Sequence, residues 1–598
     1  MEIKRLFDLL DYRMETCPQT AVFVAKQNGQ WKYVSIAEYR EKVDLLSYAL
    51  LEMGMRKGDK LALISANCPE WNYLDMAAQQ IGCILVPIYP TISADDYRFI
   101  LDNAEVRMVF IDNIDLMRRI KHILEFLPRI EAVYSFKPVE NFMEAIGEYG
   151  IRRGGTLDDL YALGREHPRP EEVRALRDSI GPRDVATMIY TSGTTGFPKG
   201  VMLCHENILT CVNGVKMTPK PYFSRAMSFL PLCHIYERMM NYLYQFMGYE
   251  IYYAESIAKV VDNLKFAKPY MMTAVPRFVE KMYDGIYRSG QKLTGMKKRI
   301  FFWALDLAQE YDLDGTTWWY NCKRRLADKL VFGKIRDNFG GCLEMFVSGG
   351  SAIQPRLAKF FTCIGMDIYE GYGLTETSPV IAVSSALPHG RKLGTAGLPL
   401  PGIEVKVLPD TGEIVCRGAN VMLGYYKAPE LTAEVIDKEG WLHTGDTGAF
   451  EPEGQLRITG RVKTMFKTSM GKYVNPEVIE EKFKESPFIL DMMVVGENQK
   501  FAAALILPDF DFLKEWQERH GIHCQTREEM VADKRTLERY NRVIAKYNPL
   551  FGTTEQIKRY KIINDTWTEA NGTMTPTLKI KRNVIAQRHK EDIEALFK

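Results

Sequence analysis

Short apolar segments alternate with longer helical patterns through the first two thirds of this chain. Residues 61–65 and 108–111 are short, apolar runs of the kind that form buried strands. Segments with helical periodicity lie between such runs, and one of them, 93–103, opens on Ser93, a residue type that caps helices. Strands that alternate with helices build mostly parallel sheets, so we expect an α/β fold.

The pattern changes near Gly390. Segments 403–408 and 413–416 alternate apolar and polar residues around an Asp-Thr-Gly turn, which predicts a β-rich subdomain. After about residue 460 the pattern again predicts a small α/β unit, in which Asn475 before a proline is typical of a helix start. We therefore divide the chain into domains 1–460 and 461–598.

Composition excludes several classes of protein. A length of 598 residues exceeds one hydrophobic core and suggests roughly three to four domain-sized units. The net charge of +2 gives no reason to expect nucleic acid as a partner. Eleven scattered cysteines without a Cys-x-x-Cys pair predict free thiols in a reducing compartment and no structural zinc. We expect a cytoplasmic protein, because no signal peptide and no long uncharged apolar run stands out.

Residues 190–201 give the strongest indication of function. After an apolar strand, glycines and hydroxyl residues lead to Lys199, and a helix is expected near His205. Glycines let backbone N–H groups approach a polyphosphate, hydroxyls donate to its oxygens, and the lysine supplies positive charge. Pro198 and Gly200 stand where a Walker A loop has glycine and Ser or Thr, so this is not that loop. The alternative is an ordinary solvated connection.

Five further segments carry residues that suit the same chemistry. One of them follows a strand and groups His234 with Glu237 and Arg238, although a single histidine in such a place is usually structural. Others offer a glycine turn on which a flat ring can lie, an aromatic ring beside a hydroxyl and a carboxylate, or an acid, Asp446, able to accept two ribose hydroxyls. The five segments are 230–238, 346–351, 369–377, 441–446 and 458–463.

Taken in order, the six segments resemble the adenylate-forming superfamily of acyl-CoA synthetases, peptide-synthetase adenylation domains and luciferases, from roughly residue 10 to 590. The Pro-Leu-x-His-x-x-Glu-Arg form at 231–238, a long helical insertion, and segments 470–476 and 575–582 look most similar to long-chain fatty acyl-CoA synthetases. The resemblance implies a large N-terminal domain of two α/β subdomains plus a β-rich subdomain, followed by a small mobile α/β domain.

The resemblance also implies a two-step reaction. A carboxylate attacks the α-phosphate of Mg-ATP to give acyl-AMP and pyrophosphate, and the thiol of coenzyme A then displaces AMP. The small domain is expected to rotate between the two steps about a hinge at Lys463. ATP, Mg²⁺, coenzyme A and a fatty acid are thus the implied cofactors and substrates.

Individual roles follow from the matched motifs. Lys199 and the phosphate loop should hold the β- and γ-phosphates, Thr375 should bond the α-phosphate, and Glu376 should hold magnesium, a hard ion that prefers carboxylate oxygen. Lys579 should bridge the carboxylate and the α-phosphate, and His234 is placed with these catalytic residues. The other predicted nucleotide-binding residues are Thr191, Ser192, Gly193, Thr194, Thr195 and Gly196 in the loop, Gly350, Glu370, Gly371 and Tyr372 at the adenine, Asp446 and Arg461 at the ribose, and Lys467.

Each of these residues also has a purely structural explanation, and the chain as a whole has alternative functions. Asp446 can be a turn acid, Arg461 can form a surface salt bridge, and Lys579 and Lys581 can both be surface charges on a strand. For the whole chain, the alternatives are an acyl-carrier-protein thiol as acceptor, a different carboxylic acid, or a non-catalytic protein that binds nucleotide or fatty acid. Relatives that activate amino acids commonly hold the ammonium with an Asp near the His234 segment, and this chain lacks that pattern.

The segment 291–340 is long, helical in pattern and rich in both basic and aromatic residues, among them Trp303, Trp318 and Trp319. Basic amphipathic helices can bind a membrane surface, which would place the protein at the inner face of a membrane. An ordinary helical insertion that packs its apolar face on the core is the favoured interpretation.

Overall fold

The alternating pattern of the sequence appears as an α/β structure in the computed structural model. The described residues are 2–18, 21–139, 141–151, 153–191, 198–215, 224–313, 315–462, 464–469, 473–575 and 579–598. They form two compact units. The first unit comprises 1–405, 415–443 and 451–456, and the second comprises 406–414, 444–450 and 457–598.

The strands are short, and most of them carry continuous apolar runs. In chain order they are β1 (Ala21–Gln27), β2 (Gln30–Ser35), β3 (Lys60–Ile64), β4 (Ile84–Ile88), β5 (Val106–Ile111), β6 (Ala132–Ser135), β7 (Arg153–Thr156), β8 (Val185–Thr191), β9 (Lys199–Cys204), β10 (Arg225–Ser228), β11 (Glu250–Tyr253), β12 (Met271–Ala274), β13 (Met345–Ser348), β14 (Asp367–Tyr372), β15 (Ala382–Val383), β16 (Leu398–Pro399), β17 (Glu404–Val407), β18 (Glu413–Arg417), β19 (Gly424–Tyr425), β20 (Leu442–Phe450), β21 (Leu456–Arg461), β22 (Phe466–Lys467), β23 (Tyr473–Val474), β24 (Ile489–Val495), β25 (Ala502–Pro508) and β26 (Ile557–Ile562).

The helices connect these strands and cover the sheets. They are α1 (Asp8–Thr16), α2 (Ile36–Glu52), α3 (Pro69–Gln80), α4 (Ala94–Asn103), α5 (Ile114–Leu124), α6 (Phe142–Gly147), α7 (Leu157–Glu166), α8 (Pro170–Ser179), α9 (His205–Val215), α10 (Ile235–Phe246), α11 (Val260–Ala267), α12 (Pro276–Gln291), α13 (Gly295–Gln309), α14 (Trp318–Ala327), α15 (Gly333–Asn338), α16 (Pro355–Cys363), α17 (Pro429–Val435), α18 (Pro476–Phe483), α19 (Phe510–Arg519), α20 (Arg527–Ala532), α21 (Lys534–Tyr547), α22 (Arg582–Arg588) and α23 (Lys590–Phe597). A π turn, Asp328–Phe332, joins α14 to α15. Ser93 caps α4 as expected, because its hydroxyl accepts the Asp96 N–H. No helix in the described ranges is long and apolar enough to cross a membrane.

Two large mixed sheets form the frame of the first unit. One has eight strands in the order β19-β9-β8-β4-β3-β5-β6-β7, and the other has nine in the order β16-β15-β14-β13-β12-β10-β11-β1-β2. Their central strands are parallel, as in β3 beside β4 and β5, and these strands are buried on both faces. The α/β fold predicted from the sequence is confirmed.

A four-stranded sheet, β17-β18-β20-β21, corresponds to the predicted β-rich part. Its strands at Glu404–Val407 and Glu413–Arg417 coincide with the two segments of alternating polarity. The residues of all four strands are divided between the two units.

The second unit has its own small α/β core. Strands β24, β25 and β26 form a sheet, and α18, α19 and α21 pack apolar residues such as Phe483, Leu513 and Val543 into one cluster with it. The predicted helix start before Pro476 is present, but the Asn475 side chain does not cap α18. Its amide instead donates to the Thr459 carbonyl at 2.6 Å, which ties the start of the helix to β21.

Candidate functional site

The two ends of the phosphate loop lie opposite each other in a hairpin. Thr191 ends β8, Lys199 begins β9, and the two residues are direct partners in the antiparallel ladder. The sequence did not predict β9 between the loop and α9. Added at Gly200, a Cβ atom would come within 3.0 Å of the Tyr190 ring, so close packing explains the glycine that replaces Ser or Thr. Predicted loop residues that lie outside the described residues are Ser192, Gly193, Thr194, Thr195 and Gly196.

Tyr425 connects Lys199 with Glu376. The short strand β19 pairs with β9, which brings the Lys199 ammonium within 5.2 Å of the centre of the Tyr425 ring, a cation–π distance. The Tyr425 hydroxyl donates to Oε1 of Glu376 at 2.9 Å. Burial raises the pKa of Tyr425, and the Glu376 carboxylate and the hydrogen bond to it raise this pKa further. The hydroxyl therefore remains a donor, and Tyr425 contacts a cation with its ring and a carboxylate with its hydroxyl.

The backbone holds Thr375 and Glu376 in a single 3₁₀ turn. The Leu374 N–H donates to the buried Thr377 hydroxyl at 2.8 Å, and the Met422 N–H donates to the Glu376 carbonyl at 2.9 Å. Both bonds use main-chain groups or Thr377, so the half-buried side chains of Thr375 and Glu376 project from a fixed turn.

The four residues predicted to line the adenine lie at neighbouring strand ends. Strands β13 and β14 are parallel, with Ser348 beside Glu370, and Gly350 follows β13 in a turn with φ +86°. A Cβ at Gly350 would meet no atom within 4 Å, so this turn is open on its outer side. Gly371 and Tyr372 continue β14 beside β15 and are half-buried. Because the carboxyl ends of parallel strands meet at one edge, these residues form a contiguous surface.

His234 occupies the start of α10 with a defined tautomer. Its Nδ1 accepts the Tyr236 N–H at 3.1 Å, so a neutral His234 carries its proton on Nε2. The Tyr236 hydroxyl donates to the Val347 carbonyl at 2.6 Å, which anchors this helix start on β13. His234 is half-buried.

Glu237 and Arg238, which the sequence groups with His234, point into the core instead. Arg238 is buried and pairs with Asp75 of α3. Glu237 is fully buried and accepts hydrogen bonds from Ser228 and Thr273, while burial raises its pKa to about 7. Successive residues of a helix point in different directions, so only His234 of these three remains a candidate for contact with a substrate.

In the second unit, the two residues predicted to contact ribose lie together. Arg461 Nε is 2.9 Å from Asp446 Oδ1, and Asp446 is buried although the arginine is partly exposed. The salt bridge considered for Arg461 thus exists, and its partner is the other predicted ribose contact. Lys467 lies on the exposed side of β22.

Lys579 lies at the end of a small hairpin near this ion pair. The Thr575 N–H donates to the Lys579 carbonyl at 2.8 Å, and the Lys579 N–H donates to the Thr575 hydroxyl at 3.1 Å. The residue is exposed, yet desolvation by the surrounding protein lowers the pKa of its ammonium group. Repulsion from Arg461 lowers this pKa further, and attraction to Asp446 and Glu477 opposes the change. The predicted hinge residue, Lys463, lies outside the described residues.

Lys199 at the end of the phosphate loop, the Thr375–Glu376 turn and the Asp446–Arg461 pair, in which only the aspartate is buried, are residue types that suit an enzyme binding a nucleotide. The chain belongs to the AMP-binding enzyme family, whose model matches residues 10–426, and the model of the AMP-binding enzyme C-terminal domain matches residues 464–598. ATP-dependent formation of acyl-CoA through an acyl adenylate, which the resemblance implied, is confirmed. The chain is an AMP-forming acid–thiol ligase that uses ATP and coenzyme A.

Sequence similarity to curated relatives covers nearly the whole chain. A protein named long-chain-fatty-acid–CoA ligase FadD15, from Mycobacterium bovis, is 31% identical and covers 97% of this chain and 95% of its own length. The human long-chain-fatty-acid–CoA ligase 6 is 30% identical over 96% of this chain and 83% of its own. Among solved structures, the adenylation domain of a Mycobacterium chelonae carboxylate reductase aligns with a TM-score of 0.77 at 19% identity, covering 99% of this chain and 91% of that one. That last likeness concerns the fold alone.

Proposed function

We propose that this chain activates a long-chain fatty acid with ATP and transfers the acyl group to the thiol of coenzyme A. The names of the relatives support a long-chain fatty acid as the substrate and coenzyme A as the acceptor of the acyl group. The observation that carries the proposal is the contact of Lys199 and Glu376 with opposite parts of Tyr425, beside the strand ends that bear the phosphate loop. Such a cation and carboxylate suit a metal–polyphosphate complex better than a neutral ligand.

In this proposal the first unit binds the phosphates. Lys199 and the phosphate loop hold the β- and γ-phosphates until they leave as pyrophosphate. Thr375 donates to an α-phosphate oxygen from its fixed turn. Fixed donors lower the barrier because they need not reorganise as charge develops on phosphorus.

Magnesium fits the residues at Glu376. A hard ion of this kind is usually held by one or two carboxylates together with substrate phosphates. Glu376 supplies one carboxylate, oriented by the Tyr425 hydroxyl, and the part of the chain that the structure describes contains no denser cluster of acids, histidines or cysteines that could hold a metal. When bound, Mg²⁺ would neutralise phosphate charge.

The nucleoside and acyl groups are assigned to the other predicted residues. Gly350, Glu370, Gly371 and Tyr372 line the adenine, with the Tyr372 ring stacked on it. Asp446, oriented by Arg461, accepts hydrogen bonds from the ribose hydroxyls. The remaining assignments are Lys579 as the cation that bridges the carboxylate and α-phosphate, His234 as a donor through Nε2, and Lys467 as a phosphate contact.

ATP–pyrophosphate exchange without coenzyme A tests the proposal. Acids from acetate to oleate, and the amino acids, are compared, and coenzyme A then competes with a phosphopantetheinylated acyl carrier protein for the adenylate. We expect exchange to be fastest with long fatty acids and the product to be acyl-CoA. Fastest exchange with another acid, or preference for the carrier protein, would replace the proposed substrate or acceptor, and no exchange with any acid would favour a binding protein.

A further inference from the structure

The Asn67 side chain bridges the carboxyl ends of two strands that belong to different sheets. Asn67 lies in the connection 65–68 between α3 and β3, a strand of the eight-stranded sheet. Its hydrogen-bond partners lie in the connection 229–234 between α10 and β10, a strand of the nine-stranded sheet. This second connection ends at His234, which caps the start of α10. Asn67 therefore contacts, from another sheet, the backbone that carries a candidate site residue.

Asn67 bonds to the peptide groups on both sides of Pro231. Its Nδ2 donates to the Leu230 carbonyl at 2.7 Å, and its Oδ1 accepts the Leu232 N–H at 2.9 Å. The same nitrogen lies 3.3 Å from the Ser228 hydroxyl at the end of β10. A carbonyl can meet only the nitrogen of an amide and an N–H only its oxygen, so the asparagine fits here in one orientation. A single side chain thus holds the two peptide groups at a fixed separation.

The connection that carries Asn67 is itself tied to a third strand end. The Ala66 N–H donates at 3.0 Å to Oδ2 of Asp112, the buried residue that follows β5. The Ser65 hydroxyl donates to the Ala66 carbonyl at 2.7 Å. Pro69 begins α3 two residues after Asn67, so the connection is short as well as bonded. Asn67 is therefore a fixed point for the backbone that it contacts.

The backbone of His234 is held from both directions along the chain. Asn67 bonds to residues before it, and the Tyr236 hydroxyl bonds after it to the Val347 carbonyl at 2.6 Å. The His234 N–H donates to the Pro231 carbonyl at 3.0 Å, so the histidine is bonded directly to the residue that Asn67 flanks. The two residues between them are buried. A shift of the backbone at Pro231 would consequently move the histidine.

We propose that Asn67 is a positioning residue that sets the place of His234 Nε2 relative to the acyl substrate. The inference rests on the proposed function, in which His234 donates through Nε2. Hydrogen bonds weaken steeply as the donor angle departs from linear, so a small displacement of the histidine removes much of its contribution. In enzymes a displacement of about 1 Å can cost about 10²-fold in rate. Asn67 is not among the residues assigned to ATP, so its removal should impair the use of the acid and spare the binding of ATP.

ATP–pyrophosphate exchange of Asn67→Ala tests the proposal. We expect kcat/KM for oleate to fall by about 10- to 100-fold, because the backbone before His234 loses both bonds. KM for ATP should change by less than about threefold, since binding of the nucleotide is left intact. Asn263→Ala is the matched control, because that asparagine also accepts a backbone N–H, from Glu255 at 3.0 Å, and donates to the Glu255 carboxylate. Equal losses in the two variants, or a loss confined to ATP, would overturn the proposal.

A double-mutant cycle with His234→Ala separates positioning from a general loss of stability. Because Asn67 is proposed to act through His234, Asn67→Ala should cost at most about twofold once His234 is alanine. Losses that multiply in the double variant would mean that Asn67 acts independently and would overturn the proposal. Asn67→Asp keeps the size of the side chain and its acceptor but loses the donor to the Leu230 carbonyl, and it replaces Asn67→Ala in each assay if the alanine variant does not fold.

Nitrogen NMR of isotopically labelled histidine gives a readout that requires no turnover. In the wild type the His234 Nδ1 accepts the Tyr236 N–H, so its ring nitrogens should show the Nε2–H tautomer. Asn67→Ala should shift both signals towards the average of the two tautomers, and the spectrum of His234→Ala identifies these signals. Unchanged signals would overturn the proposal. This shift in a protein whose wild type shows no exchange with any acid would contradict the proposed function and still support the placement of His234 by Asn67.

Discussion

At the scale of single residues, the phosphate half of the candidate site depends on contacts made by one tyrosine. Tyr425 contacts Lys199 through its ring and Glu376 through its hydroxyl. Because β19 pairs with β9, the tyrosine lies beside both charged side chains before ATP binds, and its contacts limit where they can lie. Tyr425 therefore orients the residues assigned to the phosphates and to magnesium.

Removing the hydroxyl of Tyr425 should weaken the use of magnesium. Tyr425→Phe keeps the ring beside Lys199 but removes the donor to Glu376, and a hydrogen bond to a charged group is worth about 1.5–3 kcal/mol. We expect the Mg²⁺ concentration for half-maximal exchange to rise by about tenfold or more. Tyr426→Phe is the matched control, because the neighbouring hydroxyl donates to Glu105 at 2.7 Å. A similar rise in both variants would contradict the role of Tyr425.

Lys579→Ala should separate the two half-reactions. The ammonium is proposed to stabilise charge on the α-phosphate, so adenylation should fall by about 10²–10³. Thioester formation from supplied acyl-AMP should remain largely intact, since the phosphate bond is already made. Lys581→Ala, at another exposed lysine two residues along the chain, is the control. Equal loss of both half-reactions in the first variant would refute this role.

Residue types in motifs could be predicted from the sequence, but contacts between distant segments could not. Asp446 and Arg461 were predicted as one group, and they form an ion pair. Tyr425 gave no signal, because its partners Lys199 and Glu376 lie far from it in the sequence and meet it only through β-sheet pairing and a turn. No motif predicts such a contact.

At the scale of elements, α10 combines a site residue and core residues on one helix. His234 caps its start, and Glu237 and Arg238 bond to α3, β8, β10 and β12. Helical periodicity identifies the apolar face of a helix, but it does not predict that polar residues such as Glu237 and Arg238 are buried as well. The buried parallel strands could be predicted, because they appear in the sequence as continuous apolar runs.

Glu237 should make stability depend on pH. Burial raises its pKa from 4.5 to about 7, so its stabilising contribution is complete below about pH 4.5 and is lost as the pH rises through 7. Glu237→Gln imitates the protonated acid. The variant should therefore lack the roughly 1–3 kcal/mol of unfolding free energy that the wild type loses as the pH rises. Thermal unfolding at acidic and at mildly alkaline pH should show the wild type losing more stability than the variant. Parallel losses would contradict the raised pKa.

The hairpin that carries Lys579 should depend on a partly buried ion pair. Arg582 pairs with Glu480 of α18, whose carboxylate also accepts the Val494 N–H at 2.5 Å. Glu480→Ala leaves the arginine without this partner and should destabilise the second unit by about 2 kcal/mol, below the usual cost for a fully buried pair because Arg582 is partly exposed. Lys482→Ala breaks a more exposed pair with Glu485 and is the control. Equal effects on denaturant unfolding would contradict this account.

At the scale of the whole molecule, the chain passes more than once between its two units. Segments 406–414 and 444–450 belong to the second unit although they lie within the first unit's stretch of sequence. The sequence predicted one division at residue 460. Local residue patterns show where one type of secondary structure gives way to another, but they do not show that the residues of one strand are divided between two units. The α/β class and the β-rich segment needed only local patterns, and those predictions agree with the fold.

Stiffening the proposed hinge should affect one half-reaction. Lys463→Pro restricts the backbone at the residue where the small domain is expected to turn between the two steps. Adenylation should be spared, and transfer to coenzyme A should be slowed. Pre-steady-state measurement of each half-reaction checks this, with Lys463→Ala as the control that removes the side chain only. A variant that is slow in adenylation alone would contradict the hinge.

The whole molecule should make a fatty acyl adenylate and then pass its acyl group to coenzyme A. A single-turnover chase follows both steps: enzyme, α-labelled ATP and oleate are mixed without coenzyme A, and coenzyme A is then added. We expect labelled oleoyl-AMP on the enzyme before the addition, followed by its conversion to oleoyl-CoA with release of labelled AMP. Adenylate that never forms, or that forms and is not consumed by coenzyme A, would contradict this two-step reaction.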